Sequence, residues 1–547
     1  MSNLTITEVA MPGDLTDVLI IGSGAGAAPA ALKLSQSGLK VTVLEKGDWL
    51  NRQENPEDEL AEIHLERHRP DSNVDPTIVI SSGEKIADAS RIGQSFYLVG
   101  GGTVRYTATS WRLRPEDFRK RTEYGEVIGA NVVDWPISYD DLEPFYTEAE
   151  KVIGISGLSG ADPTEPFRSQ NHLMPPLAGD RYQEIVTAAA RKLGWNPFPI
   201  PLAIHSQPST ERGASSCLQC GWCSGFPCRF HAKSSVDVTV FPLLMSAKPF
   251  QLRTRANVIG ITLESNNRRK VRSVEYVDLR TKQTHSIQAR VVIVAASAVQ
   301  TSRLLMHSNL ANSSGLLGKN LMFHIEARGS ACFEEESFHQ AFYKKVGIHD
   351  FYYPAKTDGF INHRSIQSGS KPLPISFALG ADKHGKDFIE NIAHTFIRTQ
   401  TLQCMVEDLA QEKNCVRLSS KQDPWGVPSP EVHHKYHDHD RQAAASALEK
   451  MKLLLEASGG TKIRMAEPPR NITDAYTWHL MGTARMGKDP GSSVVNSDCR
   501  CHDLDNVFIS DGSVFPTSGG LNPTLTIQAL SFRVANRIQS LMLEGKL

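Results

Sequence analysis

The stretch 17-DVLIIGSGAGAAPAALKLSQSGLKVTVLEK-46 decides the fold, because it has the pattern of one complete βαβ unit. Val18 to Ile21 is a continuous apolar run bounded by glycine, as expected of a strand buried on both faces of a parallel sheet. Gly22, Gly24 and Ala27 occupy the small positions of G-x-G-x-x-G/A, which permit a tight turn, close approach of a pyrophosphate and helix-to-strand packing. The unit therefore predicts a nucleotide site at the start of a helix.

An acidic residue closes this unit. The second strand, Lys40 to Leu44, ends at Glu45, whose carboxylate can accept hydrogen bonds from both hydroxyls of an adenosine ribose and argues against a 2'-phosphate. Glycine-rich turns also occur without ligands, but strand, glycines, helix and Glu45 in register favour a bound dinucleotide over an empty turn. The unit by itself does not separate NAD from FAD.

Length and composition describe an ordinary globular protein. The chain has 547 residues, 40% of them hydrophobic and 22% charged, with a net charge of -1, so nothing suggests nucleic acid or a charged membrane surface. Its longest apolar runs fall far short of the roughly 18 residues that cross a bilayer. The first basic residue is Lys33, so the sequence lacks the charged start of a secretory signal or a twin-arginine pair. We expect a cytoplasmic location, with export carried by a partner subunit as the alternative.

The nucleotide-binding domain is predicted to be discontinuous. Val291 to Val294 resembles a second buried strand, and the small residues that follow it lead into a helix through Leu305. We predict an α/β, Rossmann-like nucleotide domain and an α+β cap lobe built on an antiparallel sheet. The domain ranges are 14-130, 205-325 and 476-547 for the first, and 131-204 and 326-475 for the second. The charged, proline-punctuated segment 51-75 is expected to be a solvated insertion.

Four of the nine cysteines fall in one short segment, SSCLQCGWCSGFPCRFHAKSS. Cys217, Cys220, Cys223 and Cys228 have the spacing C-x2-C-x2-C-x4-C, and two-residue gaps let successive thiolates converge on one inorganic core. An iron-sulfur cluster fits this spacing, although the last gap departs from the common ferredoxin patterns. A structural zinc site fits less naturally, and reduced thiols or a disulfide remain the third interpretation.

The candidate catalytic residues lie near the C-terminal end. WHLMGTARMG contains His479, and FISDGSVFPTSGGLNPTLTIQAL contains Asn522, just ahead of Pro523. Oxidation of an alcohol by hydride transfer requires a base for the hydroxyl proton and a group that holds the oxygen. A neutral imidazole suits the first role, and a neutral amide suits the second because it does not compete for the proton.

These motifs, in this order, resemble the glucose-methanol-choline (GMC) oxidoreductase family of flavoproteins. The resemblance runs from Asp17 to about Ile538 and rests on GSGAGA with Glu45, the GGGT loop, VVIVAASAVQTSRLL, H-x-x-G-T-x-R-M-G and DGS-x-F-P-T-S-G-G-x-N-P-T. It implies non-covalent FAD rather than NAD, with His479 as base and Asn522 as its partner. No covalent flavin anchor is expected, because the 101-107 loop lacks a histidine.

The resemblance also assigns the cofactor-binding residues. It implies that the pyrophosphate lies at Gly22 and Gly24, the ribose at Glu45 and the adenine at Val258. The remaining predicted FAD contacts are Ala27, Gly101, Gly102, Thr103, Tyr106, Thr107, Ala295, Asp511, Gly512, Pro523 and Thr524. Ala27 replaces the family's more usual third glycine, which the fingerprint permits.

The cysteine segment departs from the common single-chain oxidases of the family. It resembles the large subunits of bacterial sugar and sugar-acid dehydrogenases, of the gluconate and glucoside-3-dehydrogenase types, which pass electrons to a small subunit, a cytochrome or a quinone. We therefore expect an FAD-dependent dehydrogenase that oxidises a hydroxyl of a sugar, glycoside or polyol in its cap lobe. The alternatives are an oxidase that reduces oxygen to peroxide, and a lyase or other non-redox flavoprotein on the same fold.

Overall fold

A computed structural model describes residues 15-52, 57-81, 83-90, 92-209, 214-334, 344-370, 372-381, 384-474 and 478-547. Its strands, in chain order, are β1 (Leu15–Ile21), β2 (Val41–Leu44), β3 (Thr77–Ser81), β4 (Glu84–Ser90), β5 (Pro197–Pro199), β6 (Phe250–Arg253), β7 (Ala256–Leu263), β8 (Val271–Asp278), β9 (Thr284–Val294), β10 (Ile325–Cys332), β11 (Val346–Ile348), β12 (Arg364–Ser368), β13 (Thr399–Val406), β14 (Cys415–Gln422), β15 (Pro428–His433), β16 (Thr461–Met465) and β17 (Val507–Ile509).

Helices cover the sheets and connect them. They are α1 (Ala28–Gln36), α2 (Lys120–Tyr124), α3 (Tyr139–Ile153), α4 (Arg181–Lys192), α5 (Val236–Thr239), α6 (Phe241–Met245), α7 (Ala298–His307), α8 (Pro374–Leu379), α9 (Gly385–Thr395), α10 (Asp438–Ala457) and α11 (Thr524–Leu543). Short 3-10 turns lie at Gly101–Val104, Pro115–Arg119, Phe396–Arg398 and Gly512–Val514, and a π-helical turn spans Leu60–His64.

The main sheet is built from distant parts of the chain. Its strands follow the order β6-β2-β1-β9-β8-β7, and β17 pairs with the C-terminal half of β9. The pairs β6-β2, β2-β1, β1-β9 and β9-β17 are parallel, whereas β8 and β7 continue the sheet as an antiparallel hairpin. The parallel strands bury both faces, since Val18, Leu19 and Ile20 are fully inaccessible to solvent. The predicted Rossmann-like α/β fold is confirmed.

Two further sheets complete the molecule. Six antiparallel strands in the order β16-β10-β13-β12-β11-β5 form the cap sheet, and α10 packs across β10 and β13. This sheet confirms the predicted cap architecture. A third sheet, β14-β15-β3-β4, joins strands from both predicted lobes. The domain boundaries themselves stay a prediction.

The turn that follows β1 packs backbone to backbone against later segments. A Cβ at Gly22 (φ +100°) would overlap the carbonyl oxygen of Ala295, and a Cβ at Gly26 would overlap the carbonyl oxygen of Ser510. The hydroxyl of Ser510 also donates to the carbonyl oxygen of Gly26 at 2.7 Å. Gly26, rather than Ala27, is therefore the position where this turn requires the absence of a side chain. Ala27 is buried at the start of α1.

We expect Gly26→Ala to destabilise the protein without cofactor by at least about 2 kcal/mol, because the added methyl overlaps a backbone oxygen that has no room to move. Gly24→Ala is the matched control, since a Cβ there would meet no atom nearer than 4.0 Å. Urea unfolding of the two variants and the parent measures the difference. Equal stability of the two variants would contradict this packing role.

Candidate active site

One large cavity, of about 1030 Å³, lies between the main sheet and the cap sheet. The predicted site residues that line it are Gly22, Gly24, Glu45, Gly101, Gly102, Thr103, Tyr106, Thr107, Val258, Ala295, Asp511, Gly512, Asn522, Pro523, Thr524 and His479. Ala27 and the four clustered cysteines are absent from the lining. The structure therefore gathers the predicted catalytic pair and nearly all of the predicted cofactor residues around one space.

The glycines of two loops expose bare backbone to this cavity. A Cβ at Gly102 would meet no atom within 4 Å, and a Cβ at Gly101 would lie 3.2 Å from the Cα of Gly24. The two loops therefore touch each other through backbone and leave room for a ligand beside them. This cradle, next to the N-terminus of α1, fits the pyrophosphate and flat ring of a dinucleotide.

Glu45 is held at the end of β2 by two local hydrogen bonds. Its Oε2 accepts from the hydroxyl of Ser23 at 2.6 Å, and its Oε1 accepts from the amide of Gly47 at 2.7 Å. Burial raises the pKa of Glu45 to about 7, because the carboxylate loses solvation that these bonds only partly replace. The two bonds fix both oxygens of Glu45 at the cavity, and the ionised form, which can accept further hydrogen bonds from ligand hydroxyls, predominates above about pH 7.

Asp511 lines the cavity, and its carboxylate also joins two segments of the protein, while its predicted contact with FAD stays a prediction. Its Oδ2 accepts from the amide of Ser297 at 2.9 Å and its Oδ1 accepts from the amide of Ser513 at 2.9 Å. The carboxylate thus ties the start of α7 to the turn that follows β17. Asp511 therefore lines the cavity, and both of its carboxylate oxygens accept hydrogen bonds from other parts of the protein.

The predicted catalytic pair is in direct contact. His479 Nε2 lies 3.2 Å from Asn522 Nδ2, and both side chains reach the cavity. Burial lowers the pKa of His479 well below its usual range, and the neighbouring His324 and Lys344 lower it further. The imidazole is therefore neutral near pH 7, which is the state that a base requires.

Two buried side chains orient the amide of Asn522. Trp111 Nε1 donates to Asn522 Oδ1 at 3.2 Å, and Gln367 Nε2 donates to the same oxygen at 3.4 Å. Because both donors hold the carbonyl oxygen, the NH2 group is the end that points at His479. Trp111 and Gln367 are both buried, and no sequence motif singled them out.

The cap side of the cavity carries polar side chains. Lys344 Nζ donates to the Gln403 amide oxygen at 2.6 Å, and the Gln403 nitrogen donates to Glu326 Oε1 at 2.9 Å. Burial lowers the pKa of Lys344 to about 8, although Glu326 opposes this. Ser330 and Thr401 line the same wall, so it offers both donors and acceptors to a hydroxylated substrate.

The interpretation of 51-75 as a solvated insertion is wrong for its central part. The π-helical turn buries Glu62 and brings Ile63 to the cavity wall, and residues 53-56 lie outside the described residues. Arg105 explains why: its guanidinium donates to the carbonyl oxygens of Glu62, Arg67 and Gly225 at 2.5, 2.8 and 2.9 Å. The polar, charged and proline-punctuated composition of the segment indicated solvent, but Arg105 binds its backbone and also pairs with the carboxylate of Glu62.

The cysteine segment lies beside the cavity. Gly221, Ser224, Gly225 and Phe226 line the cavity, and Lys233 fastens the segment by donating to the carbonyl oxygens of Cys223 and Phe226 at 3.2 and 2.6 Å. Burial raises the pKa of Cys217 to about 11. Among the described residues, no group of three or more His, Cys, Asp or Glu side chains is arranged to hold a metal ion. The iron-sulfur cluster stays a prediction.

Comparison with known proteins decides the family. Models of the GMC oxidoreductase family match residues 93-326 and 410-531, and an FAD-binding domain model matches residues 17-52. The chain is 33% identical to 2-methyl-1,2-propanediol dehydrogenase of Mycolicibacterium austroafricanum, over 96% of this chain and 95% of that protein. The chain is a GMC oxidoreductase. It is thus an FAD-dependent enzyme that acts on alcohol groups, as the sequence motifs predicted.

Other GMC oxidoreductases share the full length of the chain. The fructose dehydrogenase large subunit of Gluconobacter japonicus is 29% identical over 100% of both chains. The crystal structure of pyridoxine 4-oxidase from Mesorbium loti has a TM-score of 0.67 and 18% identity, over 96% of this chain and 99% of that one, and shows the shared fold. Within the described part of this GMC oxidoreductase, no helix is long and apolar enough to cross a membrane.

We expect the acid limb of the kcat/KM profile to lie below pH 6.5, because the pKa of His479 is lowered and its base form persists as pH falls until that lowered pKa is reached. Initial rates between pH 4.5 and 8, with FAD in excess, measure the limb. Flavin fluorescence at each pH reports any release of cofactor. A half-loss of activity above pH 6.5, with the flavin still bound, would contradict this assignment.

Proposed function

We propose that the protein oxidises a hydroxyl group of a sugar, glycoside or similar polyol and passes the electrons to an acceptor other than oxygen. The observation that carries the proposal is the contact of 3.2 Å between His479 and Asn522 on the wall of a cavity large enough for a dinucleotide and a substrate. The polar cap wall supports a hydroxylated substrate. The name of the relative from Mycolicibacterium, a diol dehydrogenase, agrees with this substrate class.

His479 and Asn522 have complementary roles in this proposal. His479 Nε2 takes the proton of the substrate hydroxyl, and the NH2 group of Asn522 donates to the same oxygen and holds it in place. Because the amide is neutral, it stabilises negative charge on the oxygen without giving up a proton. FAD, when bound, supplies the acceptor for the hydride at N5 of its isoalloxazine ring.

The residues that hold FAD follow the cavity from the main sheet towards the cap. We assign the pyrophosphate to the backbone of Gly22 and Gly24 and the ribose hydroxyls to Glu45. Val258 borders the adenine end. The loop 101-107 and the residues at the start of α11, Pro523 and Thr524, border the flavin ring. Each of these groups lines the cavity, and the exposed backbone at Gly102 leaves space for a flat ring.

The choice of a non-oxygen acceptor rests on the cysteine segment and on one relative. Residues between the cysteines line the cavity, and the amide of Gly225 donates to the carbonyl oxygen of Arg105 at 3.2 Å, so the segment lies against the 101-107 loop that we assign to the flavin. The fructose dehydrogenase relative is named as a large subunit. By analogy, we propose a small subunit, a cytochrome or a quinone as the acceptor of this chain. A cluster held by Cys217, Cys220, Cys223 and Cys228 would be the first step of that path.

A cytoplasmic location also stays a proposal.

The first test is an anaerobic visible spectrum of the purified protein before and after addition of sugars, glycosides and polyols. We expect one substrate class to bleach the flavin bands, and a quinone to restore them faster than air does. His479→Ala should slow the bleaching by roughly 100-fold or more, since a positioned base contributes on that scale. His394→Ala, which changes an exposed histidine of α9, is the matched control.

Two outcomes would overturn the proposal. Restoration of the flavin by air as fast as by quinone, with stoichiometric peroxide, would make the protein an oxidase. Turnover of a substrate without bleaching of the flavin, unchanged in His479→Ala, would favour a lyase or another non-redox role for the flavin. Broad absorption beneath the flavin bands, lost on substitution of the cysteines by serine, would support the iron-sulfur cluster.

We expect the affinity for FAD to fall as pH drops below 7. The pKa of Glu45 is raised to about 7, and only its ionised form accepts hydrogen bonds from both ribose hydroxyls. Linkage to one proton weakens binding by up to about tenfold per pH unit below that pKa. Titration of the protein without cofactor with FAD between pH 5.5 and 8.5 measures the effect. Glu45→Gln should bind weakly and without this pH dependence, and a parent protein with flat affinity would refute the assignment.

A further inference from the structure

A row of hydrogen bonds leads from the catalytic base into the protein. His479 Nδ1 lies 2.8 Å from His324 Nδ1, and His324 Nε2 lies 2.7 Å from the carbonyl oxygen of Gly519. His324 is completely buried, whereas His479 is partly accessible to the cavity. The two rings meet nearly edge to face, at an interplanar angle of 86°.

The carbonyl oxygen of Gly519 determines which ring nitrogens of His324 and His479 carry a hydrogen. A carbonyl oxygen only accepts, so His324 Nε2 carries a hydrogen and donates to Gly519. In a neutral imidazole the other nitrogen is then an acceptor, so the hydrogen between the two Nδ1 atoms belongs to His479. His479 Nε2 is left with a lone pair, and this is the nitrogen that faces Asn522 and the cavity.

The alternative arrangement requires a protonated His324, which its surroundings oppose. His324 has no exposed surface, and burial lowers its pKa. A charged His324 would also lie against His479, whose own pKa is already depressed in part by the cation of Lys344. The neutral form of His324 is therefore the one that this site stabilises.

Backbone contacts hold both His324 and the carbonyl oxygen of Gly519 in place. The amide of Phe323 donates to Asp408 Oδ2 at 2.7 Å, and Met322 and Met481 exchange backbone hydrogen bonds at 2.9 and 3.0 Å. These contacts flank both histidines and fix their separation. Gly519 has φ +64°, and a Cβ there would lie 2.9 Å from Leu113 Cδ2, so its carbonyl has little freedom to turn away.

We propose that His324 is a positioning residue that sets the tautomer and the ring orientation of His479. The inference rests on the proposed role of His479 as base. In that role the O–H bond of the substrate breaks and an N–H bond forms at His479 Nε2, which makes the ring an imidazolium. The Nδ1–H of the imidazolium continues to donate to His324. His324 Nδ1 therefore accepts this hydrogen bond from both the neutral and the protonated form of His479. His324 itself neither gains nor loses a proton.

Two amide substitutions separate the contacts of His324. Asparagine places an acceptor oxygen close to the position of the imidazole Nδ1, so His324→Asn keeps the bond to His479. Glutamine reaches the position of Nε2, so His324→Gln keeps the bond to Gly519 and loses the acceptor for His479. His324→Leu removes both. The Asn and Gln variants bury comparable polar groups, which makes them a matched pair.

We expect His324→Asn to retain flavin reduction within a few-fold of the parent rate in anaerobic stopped-flow measurements. His324→Gln and His324→Leu should both lose roughly 10- to 100-fold, the range seen when a group that orients a functional histidine is removed. The loss should appear in the limiting rate constant and leave KM nearly unchanged, because the substrate does not touch His324. Equal rates for the Asn and Gln variants would overturn the proposal.

Nitrogen NMR of the holoenzyme with 15N-labelled histidine tests the tautomer without any substrate. The ring-nitrogen signals of His479 are identified as those that disappear in His479→Gln. We expect these signals to show a protonated Nδ1 and an unprotonated Nε2 at pH 7.5. A protonated Nε2 in the parent protein would refute the proposal even if every His324 variant failed to fold. Because this measurement needs no turnover, it stays decisive if no alcohol is oxidised, so the two proposals fail independently.

Discussion

The close contact of Gly22 and Gly26 with backbone carbonyl oxygens, at the turn that follows β1, constrains the whole nucleotide domain. Gly22 and Gly26 meet the backbone of Ala295 and Ser510, which follow β9 and β17, so the three segments approach more closely than any side chain allows. Serine hydroxyls strengthen the same junction, since Ser510 and Ser531 each donate to the carbonyl oxygen of Gly26 at 2.7 Å. This junction positions α1, α7 and α11 around one cavity and thereby brings the glycine loops proposed to hold the cofactor close to Asn522, the proposed partner of His479.

Motifs that act within one short segment were predictable from the sequence. The βαβ unit, Glu45, and the segments around His479 and Asn522 carry their chemistry in consecutive residues, and the structure gathers them at one cavity. Residues that act across segments were not predictable. Trp111, His324 and Gln367 have no distinctive neighbours in sequence, and only the folded chain brings them to the proposed catalytic pair.

Charge patterns were misleading for a related reason. The segment 51-75 has the composition of a solvated loop, but Arg105 lies far from it in sequence and supplies the internal partner that buries it. Lys344, which precedes β11, was overlooked because its partners Glu326 and Gln403 lie on β10 and β13, which are distant in sequence. Composition indicates where a residue type usually lies, and charged residues are usually exposed. The wall of this cavity includes charged residues that are buried, so composition did not predict them.

The strand order also has a consequence for the synthesis of the protein. β1 is central in the main sheet, yet one of its two neighbours, β9, is translated some 270 residues later. At typical translation rates of about 5 to 20 residues per second, this apolar strand waits roughly 14 to 54 s on the ribosome with one edge unpaired. Until β9 is made, the nascent chain therefore has a hydrophobic strand edge with unpaired backbone hydrogen-bonding groups. An unpaired edge of this kind can pair with another chain, so the late arrival of β9 makes the nascent protein prone to aggregation.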